Sequence, residues 1–342
     1  MHIGLVYNQR PEGFNRNDPK LEKHIEGDEQ KTINAINLAI SSHGHKVTNI
    51  VCDKTIYHSL ESIKNEIDLI FNLSEGLSNT QDREAQVPLI AEMLGIPYTG
   101  PSPLSAALIL NKYRSKQIWT SQRVRTAQSQ LFTNPSTKLS PYLKYPLIVK
   151  PNSDGSGIGI HDNSIVKTDK ELRQAIKRIN NYYLQDALVE SFLPGREFTV
   201  AIIGNGDNLV VLPIIEINFK AMPQNTHQID SYEAKFVYGV TGQADATATE
   251  FCPAQIPELL EKKIVELCKK AYTSIGCRDF GRLDVRLDDQ GIPHILEINY
   301  PPGLMSDPNE SSFFTIAGRA HGWSFEQMIG YILATAVTRL KL

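Results

Sequence analysis

The hydrophobic positions in the first hundred residues follow two alternating periods. Short apolar runs typical of buried strands occur in HIGLVY, HKVTNIVC and DLIFNLSEG, and the segment 30–42 between the first two repeats its apolar residues at helical spacing. VPLIAEMLGIPYTG then predicts a helix, a glycine stop and a short strand. Because strands and helices alternate, we expect a parallel α/β sheet whose ligands collect at the carboxyl ends of the strands.

A second set of elements begins beyond residue 110. NKYRSKQIWTSQ predicts a helix, YPLIVKPNSDGSGIGI a strand followed by a glycine-rich loop, and the stretch from Asp169 to about Ile179 a further helix. ALVESFLPGREFTVAIIG predicts a pair of strands around a Pro-Gly turn, and SFEQMIGYILATAVTRL predicts a closing amphipathic helix. The polar segment 218–254 has almost no periodicity, and a loop of that length predicts a functional lid.

The segment GRLDVRLDDQGIPHILEINYPPG alternates apolar and polar residues as a β-hairpin does, with DDQGIP as its turn. Apolar residues then share one face of each strand, and Leu296 lies on the same face as Ile298. The opposite face gathers an arginine, two carboxylates and an amide: Arg282, Asp284, Glu297 and Asn299. Three such oxygen donors suit Mg²⁺, which keeps waters and phosphates as further ligands. A solvated polar face is an equally good interpretation of these residues alone.

The stretch LIVKPNSDGSGIGI has features of a phosphate-binding loop. Lys150 ends the strand, and Gly155, Gly157 and Gly159 follow at alternate positions, where backbone N–H groups can approach a phosphate. The spacing matches neither GxxxxGKS nor GxGxxG, so an ordinary turn stays open as the alternative. Lys112, near a predicted helix start, is by itself typical of a solvated lysine.

Composition and charge narrow the class of protein. The chain has 342 residues, 41% of them hydrophobic, which allows two or three domains with real cores. No apolar segment approaches the length of a membrane span, and a net charge of -3 without a basic block gives no reason to expect nucleic acid. The N-terminus MHIGLVYNQRP does not resemble a signal peptide, and four cysteines without metal-ligand spacing are typical of reduced thiols in a cytoplasmic protein.

The order of these motifs resembles that of the ATP-grasp enzymes, and within them the D-alanine–D-alanine ligase family. The resemblance runs from about Asp68 to the C-terminus and includes GIPYTG, NKYRSK, IVKPNSDGSGIG, VESFLPGREF, YEAKF, FCPA, GRLDVRL and LEINYPPG. It implies an α/β fold of three lobes with ATP between the second and third. We expect a Rossmann-like substrate lobe over 1–112, a central lobe with the phosphate loop over 113–189, and a C-terminal lobe with the metal site and mobile loop over 190–342.

The resemblance also implies roles for residues that hold ATP and metal. The residues that would hold the phosphates are Lys112, Lys150, the loop containing Gly155, Ser156 and Gly157, and the mobile-loop residue Lys235. Glu190 and Leu193 fall where the family holds adenine, and Glu197 where it holds the ribose. The implied Mg²⁺ ligands, for two ions and with Mn²⁺ as an alternative, are Asp284, Glu297 and Asn299.

The remaining implied roles concern the acyl-transfer chemistry. Arg282 and the backbone of Gly303 match the groups that stabilise the tetrahedral adduct, and Ser312 matches a serine that holds the second substrate's carboxylate. The family phosphorylates its first substrate, and the amine of an amino acid then attacks the acyl phosphate. Small-molecule substrates and a homodimer are also implied.

The chain departs from the family where the first substrate is held. It lacks the N-terminal Ser-Ala-Glu motif, for which Glu26 is only a positional stand-in, and Phe236 replaces a tyrosine that partners the retained Ser156. The family's loop histidine is also absent from FNLSEGLSNTQDREAQ. Because a site that has lost the partners of an ammonium group selects other ligands, these changes predict a different first substrate.

The sequence therefore predicts an ATP-grasp ligase that joins an activated first substrate to an amino acid. A relative that fits is the mycosporine-type amino-acid ligase, which couples serine or threonine to mycosporine-glycine. Two alternatives stay open, a genuine D-alanine–D-alanine ligase of peptidoglycan synthesis and a nucleotide-binding regulatory protein.

Overall fold

The computed structural model describes the chain except for residues 12, 16–17, 19–20, 23–25, 78–79, 220–221, 225, 238–249, 309 and 311. Much of the predicted lid 218–254 therefore lies outside the described residues. In the described part no helix is long and apolar enough to cross a membrane. All four cysteines are free thiols.

The N-terminal part forms the predicted parallel sheet. Strands β1 (His2–Tyr7), β2 (Lys46–Val51) and β3 (Leu69–Leu73) lie in the order β2-β1-β3, and helices α1 (Gln30–Ser42), α2 (Ile56–Ile63) and α3 (Gln86–Leu94) connect and follow them. All five residues of β3 are buried, as expected for a strand covered on both faces. The short strand predicted at PYTG is reduced to a single bridge between Ile70 and Tyr98.

Helices α4 (Pro103–Leu110) and α5 (Lys112–Ser121) lead to a four-stranded antiparallel sheet. Its strands are β4 (Ser129–Phe132), β5 (Leu147–Pro151), β6 (Ile165–Val166) and β7 (Ala187–Ser191), in the order β4-β7-β5-β6. Helix α6 (Asp169–Arg178) begins at its Thr168 cap, packs against β5 and β6, and ends in a π-helical turn. The predicted lobe boundary after residue 189 falls inside β7, which pairs with β4 and β5 as far as Ser191.

The C-terminal part is built on a larger antiparallel sheet. Its strands are β8 (Glu197–Ile203), β9 (Val210–Val211), β10 (Ile215–Ile217), β11 (Glu250–Phe251), β12 (Phe280–Leu287) and β13 (Pro293–Asn299). The main order is β11-β10-β8-β12-β13, with β9 paired to β8. Helices α7 (Tyr232–Phe236), α8 (Glu258–Ser274), α9 (Phe313–Ala320) and α10 (Phe325–Leu340) complete the chain. The Pro-Gly turn thus joins β7 and β8 of two different sheets, so these strands do not pair with each other.

The predicted hairpin β12–β13 is confirmed, but the predicted face of Leu296 is wrong. Asp284 pairs with Glu297, whereas the next residue, Val285, pairs with Ile295. The skipped Leu296 is the extra residue of a β-bulge, which reverses the alternation within β13. Ile295 and Ile298 are therefore buried in the core, while Leu296 lines a cavity on the opposite face.

A buried aspartate ties the N-terminal part to the C-terminal sheet and helix. Asp279, 0% exposed, accepts hydrogen bonds from the Gly100 backbone N–H (2.7 Å), from Asn205 (2.8 Å) and from Arg339 of α10 (2.7 and 2.8 Å). The Arg339 guanidinium also donates to the Tyr98 carbonyl at 2.8 Å. These contacts fix how the N-terminal sheet faces the hairpin.

Candidate active site

Two cavities meet where the three sheets face each other. The large cavity, about 250 Å³, is lined by loops of the N-terminal sheet, by the glycine-rich loop and by the segment after β13. The small cavity, about 70 Å³, lies between the four-stranded sheet and the hairpin, and is lined by Leu193, Leu296 and neighbouring residues. Lys235 and Glu297 line both cavities. A group bound in one cavity is therefore adjacent to a group bound in the other.

The polar face of the hairpin gathers the predicted residues. Asp284 and Glu297 are paired in register, as are Arg282 and Asn299. The Asp284 carboxylate accepts hydrogen bonds from Thr199 (2.6 Å), from Asn299 (2.8 Å) and from Arg282 (3.3 Å to each oxygen). This donor set of two carboxylates and an amide oxygen fits a hard divalent cation better than a soft one.

Positive charge surrounds Glu297. Burial alone would raise the pKa of this carboxyl, but Lys112, Lys150, Lys235 and Arg282 together lower it to about 2. The Lys112 ammonium lies 3.5 Å from Glu297 and also donates to the Asp154 carbonyl in the glycine-rich loop. Glu297 is thus held ionised, the state in which a carboxylate binds metal.

A buried charge cluster holds Lys150 at the small cavity. Glu190 contacts the Lys150 ammonium at 2.8 Å and the Lys116 ammonium at 2.6 Å, and all three side chains are buried. Lys116 also donates to the Thr126 hydroxyl (2.7 Å). Burial alone would raise the pKa of Glu190, but the two lysines lower it. The Glu190 side chain is paired with these two lysines. The backbone around Leu193 is therefore the part of this segment that can contact a ligand.

The predicted ribose residue Glu197 is paired with an arginine. Arg286 donates to Glu197 and to the carbonyls of Leu193 (2.6 Å) and Gln228 (2.6 Å). Burial raises the pKa of Glu197 to about 7, while Arg286 acts in the opposite direction. Arg286 therefore joins β12 to the two segments that border the small cavity.

The glycine-rich loop reaches both cavities. Gly155 and Ser156 line the large cavity and Gly157 the small one. Gly157 has a φ of +75°, and a side chain there would also approach the backbone of Ser231 and Tyr232. Glycine is therefore required for the loop to lie against the start of α7, which carries Lys235.

A histidine bridges the glycine-rich loop, the N-terminal segment and α7. His161 contacts Glu233 of α7 at 2.7 Å and Glu22 at 3.5 Å, and Glu22 accepts from the Gly159 N–H (2.6 Å) and the Tyr183 hydroxyl (3.0 Å). Burial would lower the pKa of His161, but the two glutamates raise it to about 9. This His161 bridge holds the helix of Lys235 against the loop; Lys235 itself contacts Asp230 at 2.8 Å.

The residues predicted for acyl transfer line the large cavity together. The Ser312 hydroxyl donates to the Gly303 carbonyl (2.6 Å), and Arg282 lies against the ring of Phe313, 5.4 Å from its centre. Arg282, Gly303 and Ser312 all border this cavity.

The N-terminal side of the large cavity is rich in carboxylates. Glu26 is bound by the Arg83 guanidinium, with oxygen distances of 2.6 and 2.8 Å, and Arg83 also donates to the Ser153 carbonyl (2.8 Å). Burial raises the pKa of Glu75 well above its usual value, and raises that of Glu84 to about 8. Phe236 borders the same cavity.

Several site residues were missed from the sequence. Those that the structure adds are Glu75, Arg83, Glu84, Lys116, His161, Thr199 and Arg286. Three of these had a local signal. Lys116 lies four residues after Lys112 and so on the same side of α5, while Arg286 and Thr199 lie two residues after Asp284 and Glu197 and so on the same faces of β12 and β8. The others are brought to the site by contacts between distant segments.

The comparisons agree with this geometry. Residues 117–334 match the family described as D-ala D-ala ligase C-terminus. A D-alanine–D-alanine ligase of Carboxydothermus hydrogenoformans is 32% identical over 312 residues, 89% of this chain and 91% of that protein. An uncharacterized protein of Sinorhizobium fredii is 32% identical over 307 residues, 88% of this chain and 86% of that protein. The structure of a D-alanine–D-alanine ligase from Bacillus anthracis complexed with ATP superposes with a TM-score of 0.72 at 20% identity, covering 100% and 99% of the two chains.

Together the fold and the matches define an ATP-grasp ligase, an enzyme that forms a carbon–nitrogen bond. The chain belongs to the D-alanine–D-alanine ligase family. The predicted family, three-lobed fold class and enzyme class are confirmed. Ligases of this family use ATP and a divalent metal.

Proposed function

We propose that this ligase phosphorylates the carboxylate of an amino-bearing first substrate and transfers the acyl group to the amine of an amino acid. The observation that supports the proposal is the division of charge around the large cavity. Glu75 and Glu84 come from the segment between β3 and α3, whereas Arg282, Lys112 and Lys235 come from other elements around the same cavity. A zwitterion matches such a cavity, because its ammonium and its carboxylate face opposite charges.

The same geometry supports roles for individual residues. Lys150 and the Gly157 backbone would hold ATP phosphates at the small cavity, where Leu193 and Glu197 would face the nucleoside. Gly155 and Ser156 would contact the phosphates that reach into the large cavity. Lys112 and Lys235 would stabilise the negative charge of the γ-phosphoryl group as it moves. A divalent metal, Mg²⁺ or Mn²⁺, held by Asp284, Glu297 and Asn299 would neutralise phosphate oxygens.

The acyl phosphate then reacts in the part of the large cavity that is lined by Arg282, Gly303 and Ser312. The neutral second amine attacks the acyl carbon, and the Arg282 guanidinium and the Gly303 N–H stabilise the developing oxyanion. The bond from the acyl carbon to the phosphate oxygen then breaks, and the amine proton leaves with the departing phosphate. Ser312 would position the carboxylate of the second amino acid. The buried cluster of Glu190, Lys116 and Lys150 needs no change of charge during this sequence.

The absence of the Ser-Ala-Glu motif and the presence of Phe236 support a first substrate held differently from that of the D-alanine–D-alanine ligases. No contact among the described residues favours mycosporine-glycine, so it enters the test as one compound among several. The homodimer and the three lobe boundaries remain predictions.

The test is ATP-dependent phosphate release with Mg²⁺ or Mn²⁺ and a panel of amino acids. The panel contains D-alanine, L-alanine, glycine, D-serine and L-lysine, with mycosporine-glycine plus serine or threonine as a separate arm. Mass spectrometry of the products is expected to show an amide joining two amino acids. Phosphate release that no acid stimulates would contradict the proposal, and product only with mycosporine-glycine would replace it.

A further inference from the structure

Glu84 is a carboxyl group at the large cavity to which the mechanism above assigns no individual contact with a substrate atom. It lies in the short 3-10 turn Arg83–Ala85, is 8% exposed and lines the cavity. Its Oε2 has no hydrogen-bond partner within the described part of the chain. An unpaired buried carboxyl group is unfavourable, because burial removes its hydration without replacing it. Because the residue borders the large cavity, a cation bound there would lie beside this buried carboxyl group and offset the cost of its burial.

Glu26, the positional stand-in for the family's glutamate, is in a different situation. The Arg83 guanidinium binds both of its oxygens, and Arg83 is itself only 4% exposed. A charge-assisted pair of this kind is strong, and a substrate ammonium would have to displace a buried guanidinium to reach Glu26. Glu26 is already neutralised within the protein.

The charges around Glu84 favour a cation. Arg83, the nearest basic side chain along the chain, is committed to Glu26 and to the Ser153 carbonyl. Lys112 also acts on Glu84 electrostatically, but its ammonium contacts Glu297 and the Asp154 carbonyl. Glu75, a further carboxylate, borders the same cavity and accepts only the Gly27 N–H (3.2 Å) among its described hydrogen bonds. Burial raises the pKa of Glu84 to about 8 and that of Glu75 well above its usual value, so these carboxyl groups ionise at neutral pH mainly when a cation such as an ammonium group lies beside them.

We infer that Glu84, and not Glu26, receives the ammonium group of the first substrate. The Arg83–Glu26 pair acts as a support, because it ties the turn that carries Glu84 to Ser153 at the start of the glycine-rich loop. The inference rests on the proposed function and adds to it the residue that selects an amino-bearing acid over a neutral one. In this chain the role of the missing Ser-Ala-Glu glutamate would therefore have moved to the segment DREAQ.

A competition experiment measures this selection directly. Wild-type enzyme, ATP, Mg²⁺ and a fixed amino-acid acceptor are incubated with equal amounts of an amino acid and the acid that lacks only its α-amino group: alanine with propionate, glycine with acetate, and lysine with 6-aminohexanoate. Isotope labelling of the acceptor lets mass spectrometry count the two products separately. Their ratio equals the ratio of the two kcat/KM values, and it does not depend on how much of the enzyme is folded.

The variant Glu84→Gln removes the charge while it keeps the shape. We expect it to lower the ratio of aminoacyl to acyl product by about 30-fold or more, the range for loss of one partner of a buried charge pair. Glu84→Asp, which keeps the charge on a shorter side chain, should recover part of the ratio. The exposed Glu66→Gln is the matched control and should reproduce the wild-type ratio. The KM for ATP should stay within about two-fold in all three variants, because Glu84 does not border the small cavity.

The outcomes separate the inference from the proposed function. An unchanged product ratio in Glu84→Gln overturns the inference and leaves the ligase proposal standing. A large loss of the ratio in Glu26→Gln but not in Glu84→Gln would assign the ammonium to Glu26 instead. If wild-type enzyme forms neither product with any pair, the proposed function fails and the inference fails with it.

Discussion

Asp284 and Glu297 face each other in register across β12 and β13, immediately before the bulge at Leu296. The bulge changes the direction of the side chains that follow, so that both the carboxylate pair and Leu296 lie on the ligand-facing side of the sheet. One irregular position thus brings an apolar residue beside two candidate metal ligands.

If this pair binds metal, removing either charge should reduce ATP turnover. We expect Asp284→Asn and Glu297→Gln each to lower kcat by at least about 100-fold at fixed Mg²⁺, since even indirect partners of a metal contribute about 10 to 100-fold to its affinity. Excess Mg²⁺ or Mn²⁺ should recover part of the loss. Asp289→Asn, in the exposed turn of the same hairpin, is the control. Undiminished turnover in both variants would rule out the metal assignment.

The buried cluster around Glu190 predicts a large effect on stability. Lys116→Ala removes one of the two ammonium groups that face Glu190, so a buried carboxylate is left with only Lys150. We expect the free energy of unfolding to fall by about 3–5 kcal/mol, measured by urea denaturation. Arg114→Ala, on the exposed side of the same helix, should change it by less than about 0.5 kcal/mol. Similar effects of both substitutions would contradict the prediction.

The His161 bridge predicts a pH dependence at alkaline pH. Its pKa is raised from 6.5 to about 9, so its stabilisation is complete below pH 6.5 and is lost as the pH rises through about 9. We expect about 3 kcal/mol to be lost over this interval. Chemical denaturation at pH 6 and pH 9.5 checks this, and His161→Gln should lose most of the difference. Equal pH dependence in the two proteins would show that other groups cause it.

The same bridge should affect catalysis, because Glu233 and Lys235 share α7. We expect His161→Gln to raise the KM for ATP more than the KM for the first substrate. Each KM is measured with the other of these two compounds at a saturating concentration. His294→Gln, which removes the contact with Asp288 in the distant turn of the hairpin, is a matched control. A general loss of kcat with unchanged KM values would contradict a positioning role.

The contacts of Asp279 predict that this residue stabilises the packing of the N-terminal part against the C-terminal sheet and helix. Asp279→Ala leaves Arg339 without its carboxylate and the Gly100 N–H without its acceptor. We expect a loss of about 3–5 kcal/mol in the free energy of unfolding, with a lower melting temperature. Asp207→Ala, in an exposed turn, should leave the melting temperature within about 2 °C of the wild type. If Asp279→Ala melts at the same temperature as this control, Asp279 does not hold the N-terminal part against the C-terminal sheet and helix.

The sequence by itself determined most of the elements and the family. The period of the apolar residues predicts α1 over 30–42 and the strands of the parallel sheet, because burial on one face is a local requirement that each segment meets separately. The spaced motifs identify an ATP-grasp ligase, and the alternation in GRLDVRL and LEIN is enough to bring Arg282, Asp284, Glu297 and Asn299 together.

Only the tertiary structure decided which charges are already paired. The sequence does not indicate that Glu26 lies beside Arg83, that Lys116 and Lys150 share Glu190, or that the bulge turns Leu296 away from the core. These facts depend on contacts between segments far apart in the chain, and pairing is decided by which side chains burial brings within a few ångströms. The unpaired oxygen of Glu84 is of the same kind, since the chain order shows a glutamate and only the fold shows that no described group meets it.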